Sequence, residues 1–378
     1  MLIVDGHEDL AYNMTTFGRD YTRSAADTRR IEAGGENPVH NDDTVLGWPE
    51  YQRGQVAVIM AVLFVAPKRR SAGPFESQHY SDYSQAHHLY SAQSDAYHRL
   101  TNDHPDKFSL ILDQKDLHEV VETWKQAEEV RPQSAKDQAS LDEPNQGTPV
   151  GLVVLMEGAE GVREPAELES WWQRGVRLIG PAWAGTRYCG GTREPGPLTK
   201  DGYALLEGMA DFNFILDLTH MDEAAVLQAL EAYPRQIVAS HSNALALLKG
   251  AEGNRHLSDR VIQGILERDG LIGVVVYNGF LKAGWKKGDR REEVTLQHIV
   301  AQVDYLCQMA GDSQHVGIGS DMDGGFGLQS MPTGIDTIAD LQKLAPLLSE
   351  KGYSTDDIAG IFGGNWLKRL NQALPEKR

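Results

Sequence analysis

The sequence predicts an α/β fold, a single (β/α)8 barrel of the TIM type with inserted loops, and two observations carry the prediction. Short runs of Val, Ile and Leu without polar alternation recur along the chain, as suits strands buried on both faces of a parallel sheet. Eight such runs can be counted, and helical sequence follows most of them, which is what a closed barrel requires. An open nucleotide-binding sheet would want a Gly-rich turn after its first strand, and Asp5-Gly-His-Glu-Asp9 is not one.

The first strand is the run that opens at residue 2 and breaks at Asp5-Gly-His-Glu-Asp9. Residues 11–54 are polar and Gly-rich, with Arg19, Arg23, Arg29 and Arg30, and read as a loop with a short helix. Gln55–Ala66 is the second strand. Helical patterns then fall around 75–102 and 114–130, followed by a polar, Pro-containing connection near 131–148. His79, His87, His88 and His98 lie here, and adjacent histidines face different sides of a helix, so they read as surface or internally satisfied residues. The remaining strands are 151–157, 176–182, 212–220, 236–241, 271–277 and 315–321. Helices are expected at 164–174, 201–210, 222–232, 257–268, 294–310, 336–349 and 355–373, and no domain boundary interrupts residues 1–378.

Charge and composition narrow the function. A formal net charge of -18 repels nucleic acid and anionic membrane surfaces, so neither is an expected partner. Two cysteines imply no disulfide framework and suit a reducing compartment. No apolar run approaches the roughly 18 residues of a membrane span, and a strand starting at residue 2 leaves no room for a signal peptide; the expectation is a soluble cytoplasmic protein.

Polar residues at the carboxyl ends of barrel strands point into the mouth where such folds do chemistry. Here those ends supply His7 and Asp9, Glu157, His220, His241 and Asp321. Each alone has a plain structural reading: Asp9 or Glu157 as a helix cap, His220 as a core histidine, His241 as part of a Ser-His-Ser turn. Together, three imidazoles and three carboxylates in one mouth need cations to pair with them. The set is too large for one tetrahedral zinc and suits two divalent ions sharing a carboxylate, which can hold a hydroxide and polarise a carbonyl. No nucleophile elbow, P-loop or Cys-His pair competes with hydrolysis by that route.

Seven motifs carry a resemblance: Asp5-Gly-His-Glu-Asp-Leu10, Glu157-Gly158, Asp217-Leu-Thr-His220, Ser240-His-Ser-Asn-Ala244, Asn254-Arg-His-Leu-Ser-Asp259, Gly317-Ile-Gly-Ser-Asp-Met-Asp-Gly324 and Gly363-Gly-Asn-Trp-Leu367. Through them the chain is similar to the membrane (renal-type) dipeptidases, peptidase family M19, which are zinc enzymes on a TIM barrel. The resemblance implies that His7 and Asp9 bind one zinc, His220 and His241 the other, and Glu157 both. It implies that Asp321 moves the proton and that Arg255 grips the C-terminal carboxylate of a dipeptide, for which a guanidinium is suited. Where renal-type members carry a substrate-contacting histidine after the fourth strand, Pro181-Ala-Trp-Ala-Gly185 places Trp183, whose indole donates one hydrogen bond but carries no charge.

The leading expectation is therefore a single hydrolase domain, with a helical insertion around 67–148, acting as a dizinc dipeptidase on a small-molecule substrate. Two alternatives stay open: a related hydrolase of another amide, carbamate or lactone, and a non-catalytic barrel used as a binding module. A homodimer is the commonest oligomer for such chains, and no residue tests it.

Overall fold

The computed structural model describes residues 1–130 and 148–376; the polar connection expected near 131–148 lies outside them but for its last residue. Eight parallel strands form the ring: β1 (Ile3–Glu8), β2 (Val56–Phe64), β3 (Val150–Glu157), β4 (Val176–Gly180), β5 (Ile215–Asp217), β6 (Ile237–Ala239), β7 (Leu271–Val274) and β8 (Val316–Ile318). Their order is β2-β1-β8-β7-β6-β5-β4-β3, and β3 pairs back onto β2 to close the barrel. That closing ladder runs from Val58 opposite Gly151 to Phe64 opposite Glu157. The apolar runs are buried on both faces, as the absence of polar alternation requires.

A ninth strand, Phe108–Leu110, was not expected from the sequence. It pairs with Val150–Leu152, beside the half of β3 that β4 leaves free by starting opposite Val154. Three residues carry too little pattern to be told from loop.

Most strands are shorter than their apolar runs. Phe212 belongs to the end of the helix Lys200–Asp211, and β5 stops at Asp217. The reason lies in the turns that follow, since His220 and Asp321 both take left-handed φ values, 65° and 60°. Non-glycine residues reach that region rarely, and it turns the chain away three residues beyond the last paired residue of β5 and of β8. Residues 11–54 hold more helix than expected, in Leu10–Phe17, Ala25–Glu32, Asn37–Asn41 and Trp48–Gly54. The helix expected at 75–102 begins only at Tyr83, where the Asp82 carboxylate accepts from the Gln85 N–H. His87 and His98 meet the Gly161 and Arg174 carbonyls, so they are internally satisfied as expected. Among the described residues no helix is long and apolar enough to cross a membrane.

Two glycines set how tightly the mouth is drawn together. A Cβ on Gly273 or Gly319 would overlap the carbonyl oxygen of Ser240, so β6 can lean onto β7 and β8 only where both side chains are missing. Main chain cannot swing away as a flexible side chain could. Gly319→Ala is therefore expected to cost about 2 kcal/mol or more of stability, the size of an overpacked core substitution. Urea unfolding monitored by circular dichroism measures it, and an unchanged midpoint would refute the packing argument.

Candidate metal centre

β1 holds His7 within its last turn of chain and delivers Asp9 just beyond, with His7 Nε2 3.7 Å from Asp9 Oδ2. Glu157 is the last residue of β3, and its Oε1 lies 3.9 Å from His7 Nε2, 3.2 Å from His220 Nε2 and 3.4 Å from His241 Nε2. His220 and His241, from the turns after β5 and β6, bring their own Nε2 atoms within 3.1 Å of each other. Ligand atoms of His7, Asp9 and Asp321 all fall within 4.8 Å of one another, as do those of His7, Glu157 and His241. The six candidate strand-end residues thus form two adjoining groups that share His7, and His7, Asp9, Glu157, His241 and Asp321 are buried.

Hydrogen bonds on the far side of each ring decide which nitrogen is free. Ser240 donates its hydroxyl proton to Asp217 Oδ2 at 2.5 Å, leaving Oγ able only to accept. Its lone pairs face His241 Nδ1 at 2.9 Å and His7 Nδ1 at 3.5 Å, so both rings carry a proton on Nδ1 and turn Nε2 inward. His220 Nδ1 meets the Thr192 hydroxyl at 2.9 Å. Asp217 also accepts from the Ser240 and Thr219 N–H groups, tying the end of β5 to the end of β6.

Electrostatics show what these atoms want. Burial works against a charged His7, but Glu157 and Asp9 outweigh it and push the imidazole up to about 10. Burial holds Glu157 well above the usual carboxylate range and lifts Asp321 to about 7, the latter helped by Asp9 and opposed by His7 and Arg255. His220 and His241 are held neutral by burial, with Arg255 and His7 adding to it. His7 Nε2, Asp9 Oδ1 and Glu157 Oε1 are buried and lack any hydrogen-bond partner. Imidazole nitrogens and carboxylate oxygens facing each other out of reach of water are a donor set for divalent cations, which would displace the proton held on His7, so the residues fit metal ions.

A cavity of about 510 Å³ opens over this cluster, lined by Arg255 and Trp183 among others. Arg255 is no surface residue: it is 8% exposed, donates to the His241 carbonyl at 2.8 Å and leaves its Nε without a partner. Trp183 stands 6.2 Å from the His220 ring, centroid to centroid. Sequence reasoning gave no role to Asp217, Ser240 or Thr192. Asp217 and Ser240 stand inside the quoted His motifs, a signal that was present; Thr192 comes from the hairpin Cys189–Gly191 and Glu194–Leu198, which no pattern announced.

Fold and site together define a barrel hydrolase with a metal centre. Residues 1–376 match the family described as membrane dipeptidase (peptidase family M19). The chain belongs to that family and is a metal-dependent dipeptidase. An uncharacterized protein in the pqqA 5′ region of Klebsiella pneumoniae is 31% identical over 242 residues, 61% of this chain and 85% of that one. Dipeptidase aclJ of Aspergillus oryzae is 27% identical over 175 residues, 46% of this chain and 39% of its own length. Among solved structures, a metallo peptidase from Rhodobacter sphaeroides, liganded with a phosphinate mimic of the dipeptide L-Ala-D-Ala, superposes with a TM-score of 0.73 at 22% identity, covering 99% of both chains. The probable dipeptidase PvdM from Pseudomonas aeruginosa gives a TM-score of 0.74 at 19% identity, covering 99% of this chain and 95% of that one.

Two outcomes are expected from this geometry. His7, Glu157 and Asp321 all have folded pKa values above their unfolded ones, so the metal-free fold binds more protons than the unfolded chain. Its stability should fall as pH rises, from about 4 to 7 through Asp321 and from about 6.5 to 10 through His7, by about 1.4 kcal/mol per pH unit for each proton so held, and saturating divalent cation should flatten the slope. Urea titrations of stripped and loaded protein across that range measure this, and a stability that rises with pH in the stripped protein would contradict it. Asp217→Asn should weaken divalent affinity about 10–100-fold while the chain still folds. Competition with a chromophoric chelator reads the affinity; an unaltered value would show that the Asp217–Ser240 pair does not orient the imidazoles.

Proposed function

We propose that this chain hydrolyses the amide bond of dipeptides at a two-metal centre, with His7 and Asp9 holding one ion, His220 and His241 the other, and Glu157 touching both. The observation that carries the reading is the single carboxylate oxygen of Glu157 facing three imidazole Nε2 atoms at 3.2–3.9 Å. When bound, two divalent ions, zinc first among them, would supply an activated water and polarise the scissile carbonyl. A nitrogen-rich set with carboxylates suits zinc better than magnesium or calcium.

The protein's own groups do the rest. Arg255, buried and with its Nε uncommitted, binds the substrate's C-terminal carboxylate. That fixes the scissile bond over the metal ligands and makes a free α-carboxylate part of the substrate's identity, so longer peptides fit poorly. Asp321, lifted to about 7 by burial and lying beside His7 and Asp9, takes the proton from the attacking water and returns it to the leaving amine. Trp183 contributes ring surface to the substrate cavity, not charge. The chain acts as one hydrolase domain, with the excursion between β2 and β3 as its insertion, and its two buried free cysteines suit a reducing cytoplasm.

A second reading has one observation in its favour. The indole of Trp183 lining the cavity leaves room for a related amide, carbamate or lactone whose carbonyl needs no charged partner there. A single assay series separates the two: L,L and L,D dipeptides, their C-terminal amides, and small lactones, each with metal-replete protein. The dipeptidase reading expects turnover of free dipeptides, at least about a hundredfold loss with the amides because a buried Arg255 is left unpaired, and no lactone hydrolysis. His220→Ala should lose both bound metal and more than about 10³-fold of kcat/KM, since the nucleophile and its electrostatic support go together. Dipeptide hydrolysis by a metal-free His220→Ala protein would overturn it.

A further inference from the structure

We infer that the substrate's N-terminal residue carries a large apolar or aromatic side chain, seated against a wall made by Tyr12, Phe64 and Trp183. The inference rests on the dipeptidase reading and names the substrate class within it.

The ring order gives the direction of the bound dipeptide. Arg255 follows β6, and the rings nearest it are Phe280, 4.8 Å below its guanidinium, and Tyr277, 4.9 Å further on. A carboxylate on Arg255 therefore places the C-terminal residue on the β6–β7 side. In an eight-stranded ring β2 and β3 lie across from β6 and β7. The acyl residue must extend that way, past Glu157. What it meets there is Phe64, paired with Glu157 across the β2–β3 ladder, and Trp183, whose ring centroid is 5.0 Å from that of Phe64. Tyr12 completes the wall at 5.6 Å from Phe64. All three line the cavity.

The wall is built in advance, and its polar neighbours Gln93, Glu76 and Arg70 hold fixed positions. Gln93, fully buried in the helix Tyr83–Asp103, accepts from the Phe64 N–H at 2.8 Å and donates to its carbonyl at 2.6 Å. Glu76, also lining the cavity, accepts from the Tyr12 hydroxyl at 2.8 Å and from the Ala72 N–H at 2.7 Å, so it fixes Tyr12 while keeping its negative charge. Arg70 is held by Glu194 at 2.8 Å. An apolar side chain entering here gains contact with aromatic faces, whereas an acidic one loses water and faces the Glu76 carboxylate.

The test is kcat/KM for metal-loaded enzyme on Xaa-Ala dipeptides, with Xaa as Gly, Asp, Leu or Phe and the alanine in whichever configuration is turned over. Leu and Phe are expected to exceed Gly and Asp by about tenfold or more, the discrimination a well-packed apolar pocket gives. In Trp183→Ala and in Phe64→Ala the Phe-to-Gly ratio should fall several-fold at unchanged metal content. Phe64→Leu, which keeps the core filled, serves if the alanine variant does not fold, and should lower the Phe-to-Leu ratio. Equal rates across the series, or ratios untouched by either position, would overturn this inference while leaving the dipeptidase reading intact. Failure to cleave any member would instead overturn that reading.

Discussion

One buried carboxylate facing three imidazoles is the constraint on which the rest depends. Glu157 sits at the end of the β3 strand, 4% exposed, with His7, His220 and His241 aimed at the same oxygen. Nothing in a hydrophobic interior favours that arrangement for its own sake; a buried charge cluster costs several kcal/mol per ion unless its partners are matched. The fold accepts the cost because the donors form a cation site, and the protons now pushed onto His7 and Glu157 stand where cations would act.

Holding such a cluster demands ties between strand ends, and these are made by short polar side chains at the mouth. Asp5 accepts from the Ser320 N–H at 2.7 Å and joins β1 to β8; Asp217 joins β5 to β6 through Ser240. Asn243 spans from the β6 end to Val275, pairing with its N–H at 3.0 Å and its carbonyl at 3.1 Å. Asp323 binds Arg19 at 3.1 Å, Tyr21 at 3.0 Å and the Val45 N–H at 3.0 Å, which pins the loop carrying Asp321 onto the segment after β1. The left-handed turns at His220 and Asp321 survive because such bonds over-determine them.

This pattern explains what could be read from the sequence. His7, Asp9, Glu157, His220, His241 and Asp321 were legible because each follows an apolar run, and a barrel sends every such position to one rim. Strand lengths were not, since hydrophobicity runs on through Leu218 or Val275 and Val276 after the chain has turned, and only tertiary bonds stop the ladder. Arg255 could be assigned only by family likeness, because an arginine ahead of a helix ordinarily points to water; its burial depends on the His241 carbonyl, 14 positions away. Asp217 and Ser240 were visible as letters in motifs, but their effect on the imidazole tautomers exists only once β5 and β6 lie side by side.

The same juxtaposition is suited to a substrate with a free carboxylate at one end and an apolar side chain at the other. With cations in place, Arg255 adds positive charge to a mouth whose carboxylates Asp9, Glu157 and Asp321 offset only part of it. On the proposed reading, the remainder would be met by the nucleophile and by the substrate's own carboxylate. On the opposite side, Phe64 and Trp183 place apolar ring surface beside His220 and Glu157, which lowers the local dielectric and strengthens the charge interactions there. Charge on one flank and aromatic surface on the other would thus serve one proposed reaction: the first would fix the peptide, and the second would exclude the water that weakens the hold.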